Sequence, residues 1–427
     1  MFGILLGLIV LMVLAYLGWS IIWVAPIAAG VVALTGGLDL LDAYKDTYMG
    51  GFVNFAKDWF PVFMLGAVFG KLMEDTGMAR SVAVALTKLI GTKRAILGVL
   101  VSAAVLTYGG VSLFVVVFAV YPLALTLFRE ANISRRLISP TVALGAFTFT
   151  MTAVPGTPQI QNLIPIEYFN TSATAAPIMG IAAGGVMSVG GYVYLRWRER
   201  SMTKAGEVFT EPKDKKIVDV KGEDPPFLLS LLPLLTVLIT LNLLGWDIVV
   251  ALVSGIVLIM LLNLTKFKHF VKAINLGAAG SVTAIINTSA AVGFGTVVQA
   301  VPGFERLTEI LMGVKGSPLI SEAFAVNILA GATGSASGGM GIALEALGAR
   351  YYEMAMNTGI DPEAFHRVAS LSSGGLDALP HNGAVLTLLT ITGMTHKDCY
   401  KDIFVVAVGI PVLSVIVAIL LASVGLV

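Results

Sequence analysis

Leu376-Asp377-Ala378-Leu379-Pro380-His381-Asn382-Gly383 interrupts an apolar run that begins near Ala369 and resumes at Ala384. In a run of that kind an Asp, a His and an Asn lie at bilayer depth, where each is costly in hydrocarbon. Pro380 and Gly383 break the helix and free backbone groups. Lipid cannot satisfy those groups, so the break must be buried in protein or line a cavity. A second break, Thr152-Ala153-Val154-Pro155-Gly156-Thr157-Pro158-Gln159, stands 225 residues earlier, counted from Pro155 to Pro380. Two broken helices at matching places in two halves are the pattern of a transporter binding site.

Composition places these breaks in a membrane. The 427 residues are 57% hydrophobic and 12% charged, against roughly 25% charged in a soluble domain. Mean hydropathy is +0.89. A net charge of +1 gives no reason to expect a nucleic-acid partner. The one cysteine, Cys399, excludes an internal disulfide and a cysteine metal cluster. Met1 to Gly18 is apolar with no basic flank, which predicts a first membrane helix rather than a cleaved leader.

Spanning-length apolar segments run over about Phe2–Gly18, Ile21–Gly36, Phe60–Met73, Ala175–Leu195, Phe227–Leu244, Ile248–Leu264, Ala278–Val298 and Ile403–Val424. Two more, Ile96–Phe128 and Ser321–Leu347, are cut by Thr107-Tyr108-Gly109-Gly110-Val111-Ser112 and by Thr333-Gly334-Ser335-Ala336-Ser337-Gly338-Gly339. Gly77-Met78-Ala79-Arg80 recurs as Gly303-Phe304-Glu305-Arg306, and Thr107 maps to Thr333, each a shift of 226. The fold class predicted is all-α and polytopic, with two inverted repeats, each holding a re-entrant hairpin and a broken helix. The first repeat covers 1–195, with scaffold helices over 1–36 and hairpin and broken helix over 60–170. A hydrophilic cytoplasmic linker covers 196–226. The second repeat covers 227–427, with scaffold helices over 227–264 and hairpin and broken helix over 275–400.

With the linker inside, Lys45, Lys57, Arg306, Lys315, Arg350 and Arg367 fall outside and the other 21 of 27 Lys and Arg fall inside. That asymmetry supports ten crossings of an inner (plasma) membrane with both termini outside. Hairpins that cross fully are the alternative.

The polar residues at the cuts suit an anion. A half-helix N-terminus offers free N–H groups and a positive dipole end. Glycine admits a ligand to the backbone, and hydroxyls add donors. Small-residue helix packing is the competing explanation. No lysine or arginine is predicted in the core, so backbone and hydroxyl donors are the expected ligands. The candidate substrate-binding residues are Thr107, Tyr108, Gly109, Gly110, Ser112, Thr152, Thr157, Gln159, Thr333, Ser335, Ser337, Gly338, His381 and Asn382, with Asn162 flanking the first break. Asp377 and His381 are read as the titratable Asp and His well inside the bilayer, so either can carry a coupling proton. A structural pair, or a Na⁺ site built from unwound carbonyls with Asp and Asn oxygens, remains open. His269, His366 and His396 are expected in solvated loops, and Glu322 and Glu345 at the interface. No metal ligand set or cofactor is expected. Signatures of an intramembrane protease, a serine hydrolase and a phosphate-binding loop are missing, which removes an ATP drive from this chain.

Gly66-Ala67-Val68-Phe69-Gly70-Lys71-Leu72-Met73-Glu74-Asp75-Thr76-Gly77 resembles the signature of the gluconate permease (GntP-type) family that follows its third helix. Pro155–Pro158 and the following Ile166 to Asn170 are similar to its Pro-rich break and the segment after it. Gly375–Gly383 departs from the sugar-acid members and is more similar to the 3-hydroxybutyrate permease branch. The resemblance, which runs over most of the chain, places it in the ion transporter superfamily. It implies inverted repeats, an elevator-like transport domain, usually a homodimer, and proton-coupled uptake of a small hydroxy-carboxylate. The expected activity is therefore symport of 3-hydroxybutyrate or a similar short hydroxy acid. A gluconate-type sugar acid or a dicarboxylate, and Na⁺ coupling, are the alternatives within transport. A membrane-embedded hydrolase or a passive anion channel is the alternative class.

Overall fold

The computed structural model describes residues 2–212, 225–312, 317–380 and 382–427, and every regular element in them is helical. The first half holds α1 (Phe2–Tyr16), α2 (Ile21–Gly36), α3 (Leu40–Asp75), α4 (Met78–Ile90), α5 (Ala95–Tyr108), α6 (Leu113–Glu130), α7 (Ile138–Ala146), α8 (Phe149–Thr152), α9 (Ile160–Phe169) and α10 (Pro177–Lys204). The second holds α11 (Phe227–Asn242), α12 (Ile248–Leu262), α13 (Phe267–Ala300), α14 (Gly303–Met312), α15 (Pro318–Thr333), α16 (Ala336–Thr358), α17 (Pro362–Ser373), α18 (Gly383–Thr392) and α19 (His396–Ser423). The repeat is visible helix by helix. Matching helices start 227 residues apart for α2 and α12 and for α3 and α13, and 223 apart for α5 and α15, α6 and α16, and α9 and α18.

Among the described residues four stretches are long and apolar enough to cross a membrane: Leu40–Asp75, Pro177–Lys204, Leu264–Ala300 and His396–Ser423. They form two repeat-related pairs, and the members of each pair pack on each other. Small residues permit the α3–α13 approach. A Cβ on Gly51 would collide with the Thr296 hydroxyl, and one on its repeat mate Gly277 would come within 2.7 Å of Val68 Cα. The halves also interlock, because α2 packs on α13 and α12 packs on α3. The outer surface is apolar: Leu5, Ile9 and Val13 form an exposed stripe on α1 while Ile4 and Leu11 are buried. That is the arrangement of a helix with lipid on one side and protein on the other.

Local sequence explains the ends of the inner helices. Pro318 and Pro362 stand in the first turns of α15 and α17, where the missing N–H costs nothing. Ser317 and Asp361 cap them by accepting from the Leu319 and Glu363 N–H groups. Gly334, at φ 60°, ends α15 in the left-handed region. Gly339 then lies against the Ala330 backbone, so α15 and α16 fold on each other as a hairpin. α5 and α6 do the same in the first half.

Several sequence expectations change. The four long helices begin or end well beyond the apolar segments, since their outer turns carry charged and polar residues such as Lys45, Lys57, Lys268 and Lys272. α10 continues past Leu195 to Lys204, into the expected linker. Glu207 and Glu211, just after it, pair with Arg136 and Arg129 at the foot of the first hairpin region. Lys213, Lys215 and Lys216 lie outside the described residues. Arg367, counted above as external, and His366, read as a solvated loop residue, are both fully buried on α17. Glu322, read as interfacial, is fully buried on α15. His396 opens α19 and bonds through Nε2 to the Pro380 carbonyl, 2.9 Å away.

Candidate functional site at the two helix breaks

Each half ends its first broken segment short and restarts after a polar turn. α8 stops at Thr152 and α9 restarts at Ile160; α17 stops at Ser373 and α18 restarts at Gly383. The residue before each restart reaches back to the tip of its own hairpin. Gln159 donates through Nε2 to the Thr107 carbonyl at 2.7 Å. Asn382 donates through Nδ2 to the Gly334 carbonyl at 2.9 Å, and its Oδ1 accepts from the Val385 N–H. Break and tip are thus one unit in each half. The halves then exchange partners, since α9 packs on α16 and α18 packs on α6.

At the first tip, Tyr108 donates to the Pro155 carbonyl at 2.9 Å. Gly110, at φ +95°, faces the Pro158 ring, and Gly109 faces Leu234. Only glycine combines that φ with so close a neighbour. Ser112 precedes α6 without capping it and lies near Gly70. The Thr107 and Thr157 hydroxyls are buried with no hydrogen-bond partner among the described residues. Thr152 Oγ1 donates to the Thr148 carbonyl, and its methyl lies against Gly374 of the other break.

At the second tip the hydroxyls are already engaged. Thr333 donates to the Leu329 and Ser335 carbonyls. Ser335 caps α16 by accepting from the Gly338 N–H, and Ser337 bonds Thr288 of α13. In the second break Asp377 is buried and its Oδ1 has no partner among the described residues. His381 lies outside the described residues.

Between the two breaks stands a group that the sequence reading missed. Arg367 is fully buried. It donates to the Ala175 carbonyl from Nε and Nη2, and from Nη1 to Asn162 Oδ1 at 2.9 Å and the Thr152 carbonyl at 3.4 Å. All these partners are neutral oxygens. Glu363, one turn earlier on α17, is engaged by the Ala176 N–H at 2.8 Å. His366 meets the Thr171 hydroxyl at 2.6 Å and Asn162 Oδ1 at 3.4 Å. Asn162 in turn donates to the Thr157 and Ala173 carbonyls, and Ser370 donates to the Thr152 carbonyl. α17 of the second half is therefore bolted across the break of the first. A signal was available: Arg367 precedes Gly374 by seven residues, about two helical turns, so it shares a helix face with the start of the second break and lies about 10 Å from it along the axis.

The chemistry available is anion recognition without a metal. The buried guanidinium is bonded only to neutral oxygens, with the Glu363 carboxylate one turn away as its counter-charge, and two threonine hydroxyls and one carboxyl oxygen without a partner among the described residues lie at the adjoining tip and breaks. A surface groove of about 470 Å³, lined by Phe304, Glu305, Glu309, Arg350, Glu353, Met354 and Asn357, is separate from these residues. Its charges are satisfied in part by the Arg350–Glu353 ion pair.

A family model described as GntP family permease matches residues 1–245. The chain is 42% identical over 446 aligned residues to "Uncharacterized transporter YxjC" of Bacillus subtilis (strain 168), with 94% of each chain covered. It is 29% identical over 221 residues to "Uncharacterized permease" of Haemophilus influenzae, covering 49% of this chain and 43% of that one. Among solved structures it is similar to the Alcanivorax borkumensis YdaH transporter, described as having an unusual topology, at TM-score 0.58 and 15% identity over 90% of this chain and 88% of that one.

Proposed function

The chain belongs to the GntP family of permeases, and on that premise we propose that it is a secondary active transporter of a small organic anion, a short hydroxy-carboxylate such as 3-hydroxybutyrate. The observation that carries the proposal is Arg367, a buried cation whose hydrogen-bond partners are all neutral oxygens, at the crossing of the two breaks. A carboxylate brought near it gains from a low-dielectric attraction. The Thr107 and Thr157 hydroxyls supply donors for the substrate's oxygens, with Gly109, Gly110 and Gly338 keeping the backbone approachable. The remaining candidates, Thr152, Gln159, Thr333, Ser335, Ser337 and Asn382, hold the tips and breaks in place around that point.

Coupling is assigned to protons, with Asp377 and His381 as the groups at the breaks that take them up. The hairpins and broken helices form the moving body, and the helices over 1–36 and 227–264 form the scaffold and the contact between two copies in the inner membrane. Purified protein in vesicles tests this. An imposed pH gradient, acid outside, is expected to concentrate labelled 3-hydroxybutyrate above its external level. Equilibration without accumulation indicates a channel, and chemical conversion of the label indicates a hydrolase.

A further inference from the structure

Glu322 is unlike every other carboxyl group in the fold. It is fully buried, and both of its oxygens are without a hydrogen-bond partner among the described residues. It lies on α15, the first arm of the second hairpin, five residues past the Ser317 cap and eleven before Thr333 at the tip. At helical rise that is about 7 Å inside the hairpin mouth and about 16 Å short of the tip. It therefore lies away from the hairpin tip and makes no hydrogen bond to a residue of the substrate site, although its helix packs on α17 and on the Leu376–Ala378 turn. Its neighbours along the arm, Leu319, Ala323, Ala325 and Val326, are buried and apolar. An ionised carboxylate in such a place, with no donor, is far more costly than a neutral acid. The nearest hydroxyls, those of Ser321 and Tyr351, bond each other.

From this geometry we infer that Glu322 is a proton-binding site, distinct from the substrate site, whose occupancy permits the second hairpin to move. The inference rests on the transporter reading above. With the proton bound, α15 stays packed and the hairpin moves as a neutral body. Loss of the proton leaves a carboxylate that must reach water at the mouth, which separates α15 from its neighbours and arrests the movement. The charged and titratable groups around it do not replace the proton. Tyr351 of α16 faces it, with its hydroxyl 3.1 Å from that of Ser321. On α17, Glu363, His366 and Arg367 are engaged by Ala176, Asn162 and Ala175. Asp377 lies by Tyr400. On α14, Arg306 pairs with Glu309, and Glu305 lines the exposed groove. α1 carries no acidic or basic residue, and α19 packs against α15 through the apolar turns after Phe404.

The test uses the full chain in vesicles with equal labelled and unlabelled 3-hydroxybutyrate on both sides, so that exchange is read without a gradient. Wild-type exchange is expected to fall at least tenfold from acid to alkaline buffer. Glu322→Gln, a permanent mimic of the neutral acid, is expected to exchange faster than wild type in alkali, leaving only the fall that Asp377 and His381 impose. A parallel infrared titration of the protein without substrate is expected to show a carboxylic-acid carbonyl band that fades in alkali and loses the Glu322 component, though not that of Asp377, in Glu322→Gln. If the wild type exchanges nothing but the band behaves so, the substrate assignment fails and the proton site stands. An unaltered pH profile in Glu322→Gln, a band that never titrates, or exchange that follows Na⁺ rather than pH overturns the inference. Should Glu322→Gln fail to fold, Glu322→Asp replaces it: an unshifted titration of both band and exchange then overturns the inference as well.

Discussion

The two breaks have the same architecture and opposite chemistry. In each, the residue before the helix restart clamps the carbonyl of its own hairpin tip: Gln159 holds Thr107 and Asn382 holds Gly334. Around the first break the side chains are neutral: Thr152, Thr157, Gln159, Gln161 and Asn162. The second half brings Glu363, His366, Arg367 and Asp377. At the first tip a hydroxyl is free, and at the second the hydroxyls are engaged by the protein. Duplication thus accounts for the frame, and the differences between the copies account for charge and binding. In the proposed transporter the first half offers neutral donors for a ligand, and the second supplies the buried cation and the groups proposed to exchange protons.

The largest effect that would break this comparison is at Arg367. Arg367→Ala removes donors from the Thr152 and Ala175 carbonyls and from Asn162 at once. Unsatisfied buried groups cost about 1–3 kcal/mol each, so transport is expected to vanish and the thermal midpoint to fall by many degrees. Arg367→Lys keeps the charge but not the fork, and is expected to retain the fold with transport reduced at least a hundredfold. Full uptake in Arg367→Lys would show that only charge is used there.

His381→Ala addresses the chemical asymmetry in the second break. An imidazole with an ordinary pKa of about 6.5 is charged below that pH and neutral above it. The variant is expected to lose pH-driven accumulation while keeping exchange. Na⁺-driven uptake at constant pH, with full activity in His381→Ala, would transfer coupling to a cation site at Asp377 and Asn382.

The clamps give a smaller, sharper test of the shared frame. Asn382 serves both as clamp and as helix cap, and a cap is worth about 1 kcal/mol. Gln159 is a clamp alone. Asn382→Ala is therefore expected to lower stability by about 2 kcal/mol and Gln159→Ala by about 1 kcal/mol, read as midpoints of thermal unfolding. Equal losses would mean that the cap contributes nothing.

Much of the frame was legible because it is written as hydrophobic runs, Pro and Gly. The 226-residue offset, both hairpin tips and both breaks follow from such signals, and matching helices stand 223 to 227 residues apart. Helix ends were not legible where charged residues continue a helix beyond lipid, as at Lys45 and Arg198. The polar interior was the larger miss. His366 and Arg367 read as loop residues because they follow Pro362 closely and because charge is normally excluded from hydrocarbon. Arg367 is held by the Thr152 and Ala175 carbonyls, at the end of α8 and in the turn before α10, and His366 by Thr171 and Asn162, all about two hundred residues away in sequence. Glu322 was misread for the same reason: hydropathy places a carboxylate at a surface, and only tertiary packing places it inside.

The central claim is that the first half's free hydroxyls bind an anion within a frame common to both halves. It is tested most directly by calorimetric titration of 3-hydroxybutyrate into purified wild type, Thr107→Ala/Thr157→Ala and Thr333→Ala. Neither hydroxyl has a partner among the described residues, so the double variant is expected to keep the wild-type thermal midpoint. Its affinity is expected to fall about a hundredfold, at roughly 1.5 kcal/mol for each lost bond to a charged group. Thr333→Ala, whose hydroxyl is engaged within its own tip, is expected to bind within about threefold of wild type. Unchanged affinity in the double variant, or a larger loss at Thr333, would contradict the account.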